Sequence, residues 1–154
     1  MSFCGSSVDA RSSPCSIRLC IMPLLRGGYP RGLGGGAAGL GWLFDYTQSN
    51  ERVSCSKFLP YISSPLMAEA LALREVLLSS KHSLLSKVWF RSDSQGLITA
   101  INSKIYPVEL YGVLSDIEFL SSSFSFIAFS FIPRAQNMLA DSLAKNTLRT
   151  ARLY

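Results

Sequence analysis

Three observations predict an α/β fold for this 154-residue chain. Two strand-like runs flank a polar turn between residues 39 and 62. The apolar spacing then changes from the period of a strand to that of a helix at Ser64. Finally, an aromatic and β-branched run ends at Pro133, just before a last helical segment.

Taken in order, Gly39–Tyr46 and Val53–Ile62 have strand composition and are separated by Gln48, Ser49 and Asn50, so they are expected to pair as a hairpin. Ser64 offers an N-cap and Pro65 suits the first helical position. Met67, Leu71, Leu73, Leu77 and Leu78 then make an apolar face up to about Ser80. Lys87–Ser92 predicts a buried strand followed at once by a helix over 94–103, and a further helix is expected over 109–120. Residues 124–133 predict a strand and 137–150 a closing helix. His82, the sole histidine, falls where the first helix ends and suits a surface position there.

Residues 11–38 differ from all of this. Pro14, Pro23, Pro30, Gly27-Gly28 and Gly34-Gly35-Gly36 interrupt every helix or strand pattern, so a loop or insertion is expected. The division that follows is an irregular, basic leader over 1–38 and a regular domain over 39–154.

Composition bounds the function. With 48% hydrophobic and 16% charged residues the chain can bury a core and is not of disordered type. Apolar runs such as Leu19–Leu25 are far too short to span a membrane. Cys4, Cys15, Cys20 and Cys55 form no CxxC pair, which predicts four reduced thiols and argues against a secreted enzyme. The net charge is +5, of which +3 falls in residues 1–38. A modest basic excess suits a phosphate backbone, and the glycines, prolines and Asp9 of the leader disfavour an organelle address, leaving nucleus or cytosol.

Four acidic residues, Asp9, Glu69, Asp93 and Asp141, each stand at the edge of a different apolar segment. Each has an ordinary structural role open to it. Glu69 could favour a helix amino end, Asp93 could cap the helix that follows it, and Asp141 could pair with Lys145 at i+4. Three of them lie in MAEALALREVLL, VWFRSDSQGLITAINSK and FSFIPRAQNMLADSLAK. These runs resemble the ribonuclease H-like domains that end plant non-LTR retroelement reverse transcriptases, and their free-standing relatives, over about residues 39–148.

The resemblance implies a ribonuclease H-like fold, a mixed five-stranded sheet flanked by helices, whose first strand runs into Val8-Asp9-Ala10. It implies that Asp9, Glu69, Asp93 and Asp141 together hold two Mg²⁺ or Mn²⁺ ions and hydrolyse the RNA strand of an RNA–DNA hybrid. Two such ions about 4 Å apart need a cluster of carboxylates, because a hard cation takes oxygen ligands and the ions offset the repulsion among the acids. In the matched motifs Ser94 and Asn102 become candidates for contact with the 2′-hydroxyl. Arg134 and Asn137, in the PRxxN run, are candidates for the phosphate side. Residues 10–38 stand where the family passes quickly to its next strand, so either the loop accepts a long insertion or the first strand is lost. A nucleic-acid-binding remnant without activity is therefore the alternative to a monomeric hybrid ribonuclease.

Overall fold

The computed structural model describes residues 15–24, 36–46 and 49–151, with only the backbone described over 16–24. Five strands form one mixed sheet in the order β3-β2-β1-β4-β5: β1 Cys15–Leu24, β2 Gly36–Tyr46, β3 Arg52–Ile62, β4 Lys87–Ser92 and β5 Phe126–Phe131. β1, β2 and β3 form an antiparallel meander, whereas β4 runs parallel to both β1 and β5. The helices are α1 Pro65–His82, α2 Gln95–Ser103, α3 Tyr111–Ser121 and α4 Met138–Ala151.

The central strand corrects the expectation for the leader. β1 lies inside 11–38, where prolines and glycines predict a loop, and the sheet therefore begins well before residue 39. Its sequence, CSIRLCIMPL, sets Cys15, Ile17 and Leu19 in alternation with Ser16 and Arg18, the period a strand needs. Pro23 is compatible with this central place because the ladder to β4 covers only Cys15 to Leu19. Beyond it, among the described residues, Pro23 has a register partner only in Ala38 of β2. Val8-Asp9-Ala10, the expected end of the first strand, lies outside the described residues.

The hairpin of β2 and β3 closes through Asn50, whose φ of 53° is one that asparagine tolerates better than most residues. α1 starts as its capping residues dictate, with Ser64 Oγ accepting from Met67 N at 3.1 Å. Its small buried residues Ala68, Ala70 and Ala72 let it lie close to the sheet beside Leu73, Val76 and Leu77. The expected helix over 109–120 is a short 3-10 turn, Val108–Leu110, running into α3.

Alternation along β2 separates two layers. Leu40, Trp42 and Phe44 enter the main core with α1 and α3, while Leu43 packs with Ala140 and Leu143 of α4. Gly39 and Gly41 make that second layer possible. A Cβ on Gly39 would run into the carbonyl oxygen of Ala144, and one on Gly41 into that of Ala140. α4 is thus seated over β2, with β1 and β3 also beneath it. One further correction concerns the thiols. Cys55 is disulfide-bonded, and Cys15 is a buried thiol whose pKa burial pushes up to about 12, with the charge of Asp45 adding to the effect.

Candidate active site

Strand β4 buries Val88, Phe90 and Ser92 against the core and delivers Asp93 immediately beyond its carboxyl end, where open α/β sheets place their ligands. Ile132 N donates to Ser92 O at 2.9 Å, which fastens the end of β5 to the end of β4. Ser92 Oγ accepts from Ser94 N at 3.1 Å, so the bend between β4 and α2 is tied from within.

Ser94 occupies the N-cap position of α2 but makes no capping bond with its side chain. Its hydroxyl instead donates to Glu69 Oε2, across from the second turn of α1. Burial raises the pKa of Glu69, the donation from Ser94 lowers it, the charge of Asp93 raises it and that of Arg134 lowers it. Two carboxylates are therefore close enough to feel each other. Arg134, from the short turn after β5, brings Nε to within 3.2 Å of Asp93 Oδ2; the arginine side chain is 67% exposed and that of Asp93 11%.

Asp141 belongs to a different environment. It stands in the first turn of α4, its N–H donates to Asn137 O at 3.0 Å, and its carboxylate meets Lys145 Nζ at 2.7 Å, the i,i+4 pair open to it from sequence. Asn137 is buried at the entry to α4. Asn102 lies on the exposed side of α2, where its amide Nδ2 donates to Phe129 O at 3.0 Å and holds the outer edge of β5. Asp9 lies outside the described residues. The structure thus brings Glu69, Asp93, Ser94 and Arg134 together, whereas Asp141 has its own cation and Asn102 its own backbone partner. Among the described residues no group of three or more histidine, cysteine, aspartate or glutamate side chains is placed to hold a metal ion. Nor can β1 add to the set, since CSIRLCIMPL contains no acid.

The family described as reverse transcriptase-like matches residues 33–147 of this chain, the span that contains β2 to β5, α1 to α3, most of α4 and every described candidate residue. The chain belongs to that reverse transcriptase-like family. No curated protein matches it. Among solved structures, ribonuclease H1 from the halophilic archaeon Halobacterium salinarum is similar with a TM-score of 0.72 and 20% identity, over 89% of this chain and 98% of that one. An N-terminal ribonuclease H domain from Mycobacterium tuberculosis is similar at 0.71 with 21% identity, over 91% and 96%. A ribonuclease H1 named LC11, solved in complex with an RNA/DNA hybrid, is similar at 0.62 with 19% identity, over 89% and 98%. The fold of this reverse transcriptase-like chain is accordingly ribonuclease H-like.

Within that fold, sequence reasoning overlooked how Glu69 is held. Ser94 was a candidate for substrate contact or capping, and no spacing rule links a serine to a glutamate 25 positions earlier. Among the described residues, Glu69 and Asp93 are the neighbouring carboxylates that could hold a hard cation: magnesium commonly takes one or two protein carboxylates and fills its remaining sites with water and substrate phosphate. That donor set fits one ion.

Proposed function

We propose that the protein binds RNA–DNA hybrids at the edge formed by the end of β4, α1 and the Arg134 turn, and hydrolyses the RNA strand with Mg²⁺ or Mn²⁺. The observation that carries this reading is the adjacency of Glu69 and Asp93 at the carboxyl end of β4, beside a guanidinium suited to phosphate. Bound divalent ions would polarise the scissile phosphate and lower the pKa of an attacking water. Glu69 and Asp93 would hold the first ion, with Ser94 fixing the orientation of Glu69. Arg134 neutralises Asp93 until phosphate arrives and then turns its outer side toward the backbone of the hybrid. A second ion requires Asp141 to exchange Lys145 for metal and requires a further carboxylate, for which Asp9 is the candidate. Asn137 orients the start of α4, and Asn102 and Ser94 border the ribose side. The SDSQGL and PRxxNxxADxLAK runs support placing the domain with the plant non-LTR retroelement type, working as a monomer in nucleus or cytosol. No helix among the described residues is long and apolar enough to cross a membrane.

A second reading has one observation in its favour. The strand beside β4 is free of acids, so the domain would bind the hybrid without cutting it. A cleavage assay separates the two. Purified protein with Mg²⁺ or Mn²⁺ should cut the RNA of a labelled hybrid, leave the DNA intact and lose at least about a hundredfold in rate in Asp93→Asn, the order expected for removing a group that holds the catalytic charge. Binding of the hybrid with no cleavage under either metal would replace hydrolysis by binding alone. Absence of both would end the reading.

A further inference from the structure

The part of the sheet beyond α4 has chemistry of its own. On β4, Lys87, Trp89 and Arg91 alternate with the buried Val88, Phe90 and Ser92, so these three side chains lie on the face opposite the main core. α4 packs on that face against β1, β2 and β3, and Trp89 is left 46% exposed. Phe126 of β5, the register partner of Lys87, is 54% exposed.

The indole of Trp89 is held in place. Its Nε1 donates to Ser130 Oγ of β5 at 2.6 Å, and the guanidinium carbon of Arg91 lies 5.2 Å from the ring centroid. An aromatic ring so fixed loses little freedom when a second planar group stacks on it. The strands around it carry cations and no acid: KVWFRS and FIAFSF contain none, and neither does β1, whose Arg18 is the register partner of Arg91.

We propose that this face of β4 and β5 binds single-stranded nucleic acid, with bases stacking on Trp89 and Phe126 and phosphates lying against Lys87 and Arg91. Strand geometry separates the two rings by roughly 8 Å, enough for each to receive its own base. A duplex is excluded because its bases are already stacked on one another, whereas a single strand offers the π-face that an exposed indole needs. Aromatic platforms within a basic surface bind such strands with little regard to sequence. Arg91 lies two residues before Asp93, so a strand leaving the carboxylate edge could continue directly onto this surface. The proposal goes beyond hybrid hydrolysis and does not require it.

The test uses the full chain, without divalent metal, titrated with an oligothymidylate while tryptophan fluorescence is recorded. The chain has two tryptophans, and Trp42 is 1% exposed, so a change on binding reports Trp89. Quenching is expected, with affinity about tenfold weaker in Trp89→Ala and largely retained in Trp89→Phe. Each of Lys87→Ala and Arg91→Ala should reduce the dependence of log affinity on log salt by about 0.7. If Trp89→Ala fails to fold, the two cationic variants and Trp89→Phe carry the test. Unchanged affinity in Trp89→Ala, or no quenching in the unmodified protein, overturns the proposal. So does a Trp89 signal that responds to protein concentration alone, which would mean that a second copy covers the face. Asp93→Asn should bind the oligothymidylate normally, so a failure of hybrid cleavage leaves this surface standing.

Discussion

The two sides of β1 carry acids in contrasting ways. On the β4 side, Glu69 and Asp93 come from different elements and are held by Ser94 and Arg134 from two more, so their positions depend on the whole fold. On the β2 side, Asp141 is paired within its own helix to Lys145, one turn away, and α4 as a whole is seated by glycines. A tertiary network sets one half of the candidate site and a local helical pair sets the other. The contrast teaches that topology can bring acids to the same end of a sheet without making them one cluster; the strand between them decides, and here it has no carboxylate.

The largest expected effect comes from removing that strand. β1 is the sole ladder between the antiparallel pair β2–β3 and the parallel pair β4–β5. Deleting residues 15–24 should therefore abolish cooperative thermal unfolding, followed by calorimetry or circular dichroism. A deletion variant that still melts in one sharp transition would show that the two halves stand independently of β1.

Next in size is the seat of α4. In Gly41→Ala the new methyl group would meet the carbonyl oxygen of Ala140, with Ala144 N and Leu143 Cβ both at 2.7 Å. Backbone cannot move aside as a flexible side chain does, so the cost should be about 3 kcal/mol, the upper part of the range for overpacking. For a chain of this size that lowers the melting temperature by roughly 10 °C. A shift below about 2 °C would mean that α4 can lift from β2, and with it Asp141.

How far all this was legible in the sequence follows the same contrast. Elements whose signals are local were readable: Ser64 and Pro65 start α1, and the limits of β4 are those of its apolar run. The motif runs also drew attention to Glu69, Asp93 and Asp141. β1 is not readable from sequence, because Pro14, Pro23 and the glycines around it outweigh the alternation of Cys15, Ile17 and Leu19. The pairing of β1 with residues some 70 positions later is what makes it a strand, and local propensity cannot register that. The disulfide at Cys55 was missed for a similar reason, since pairing depends on geometry and not on spacing. Arg134 could be named as a phosphate candidate, but its place against Asp93 emerges only when the end of β5 is fastened to the end of β4.

The smallest effect on stability, and the sharpest test of the contrast, is Lys145→Ala. The lysine side chain is 50% exposed and its pair with Asp141 spans one helical turn, so solvent screens most of the attraction and the loss should be about 0.3–0.5 kcal/mol. Its melting curve without metal should nearly overlay that of the parent. The difference should appear with Mg²⁺. If Asp141 is a ligand held in reserve, removing its ammonium partner removes one competitor for the carboxylate, and Mg²⁺ should raise the melting temperature of Lys145→Ala more than that of the parent, because an ion that binds only the folded state stabilises it by mass action. Combining Lys145→Ala with Asp141→Asn should erase the gain. Equal responses in the parent and Lys145→Ala would leave Asp141 a helix residue only, and the site would reduce to Glu69 and Asp93.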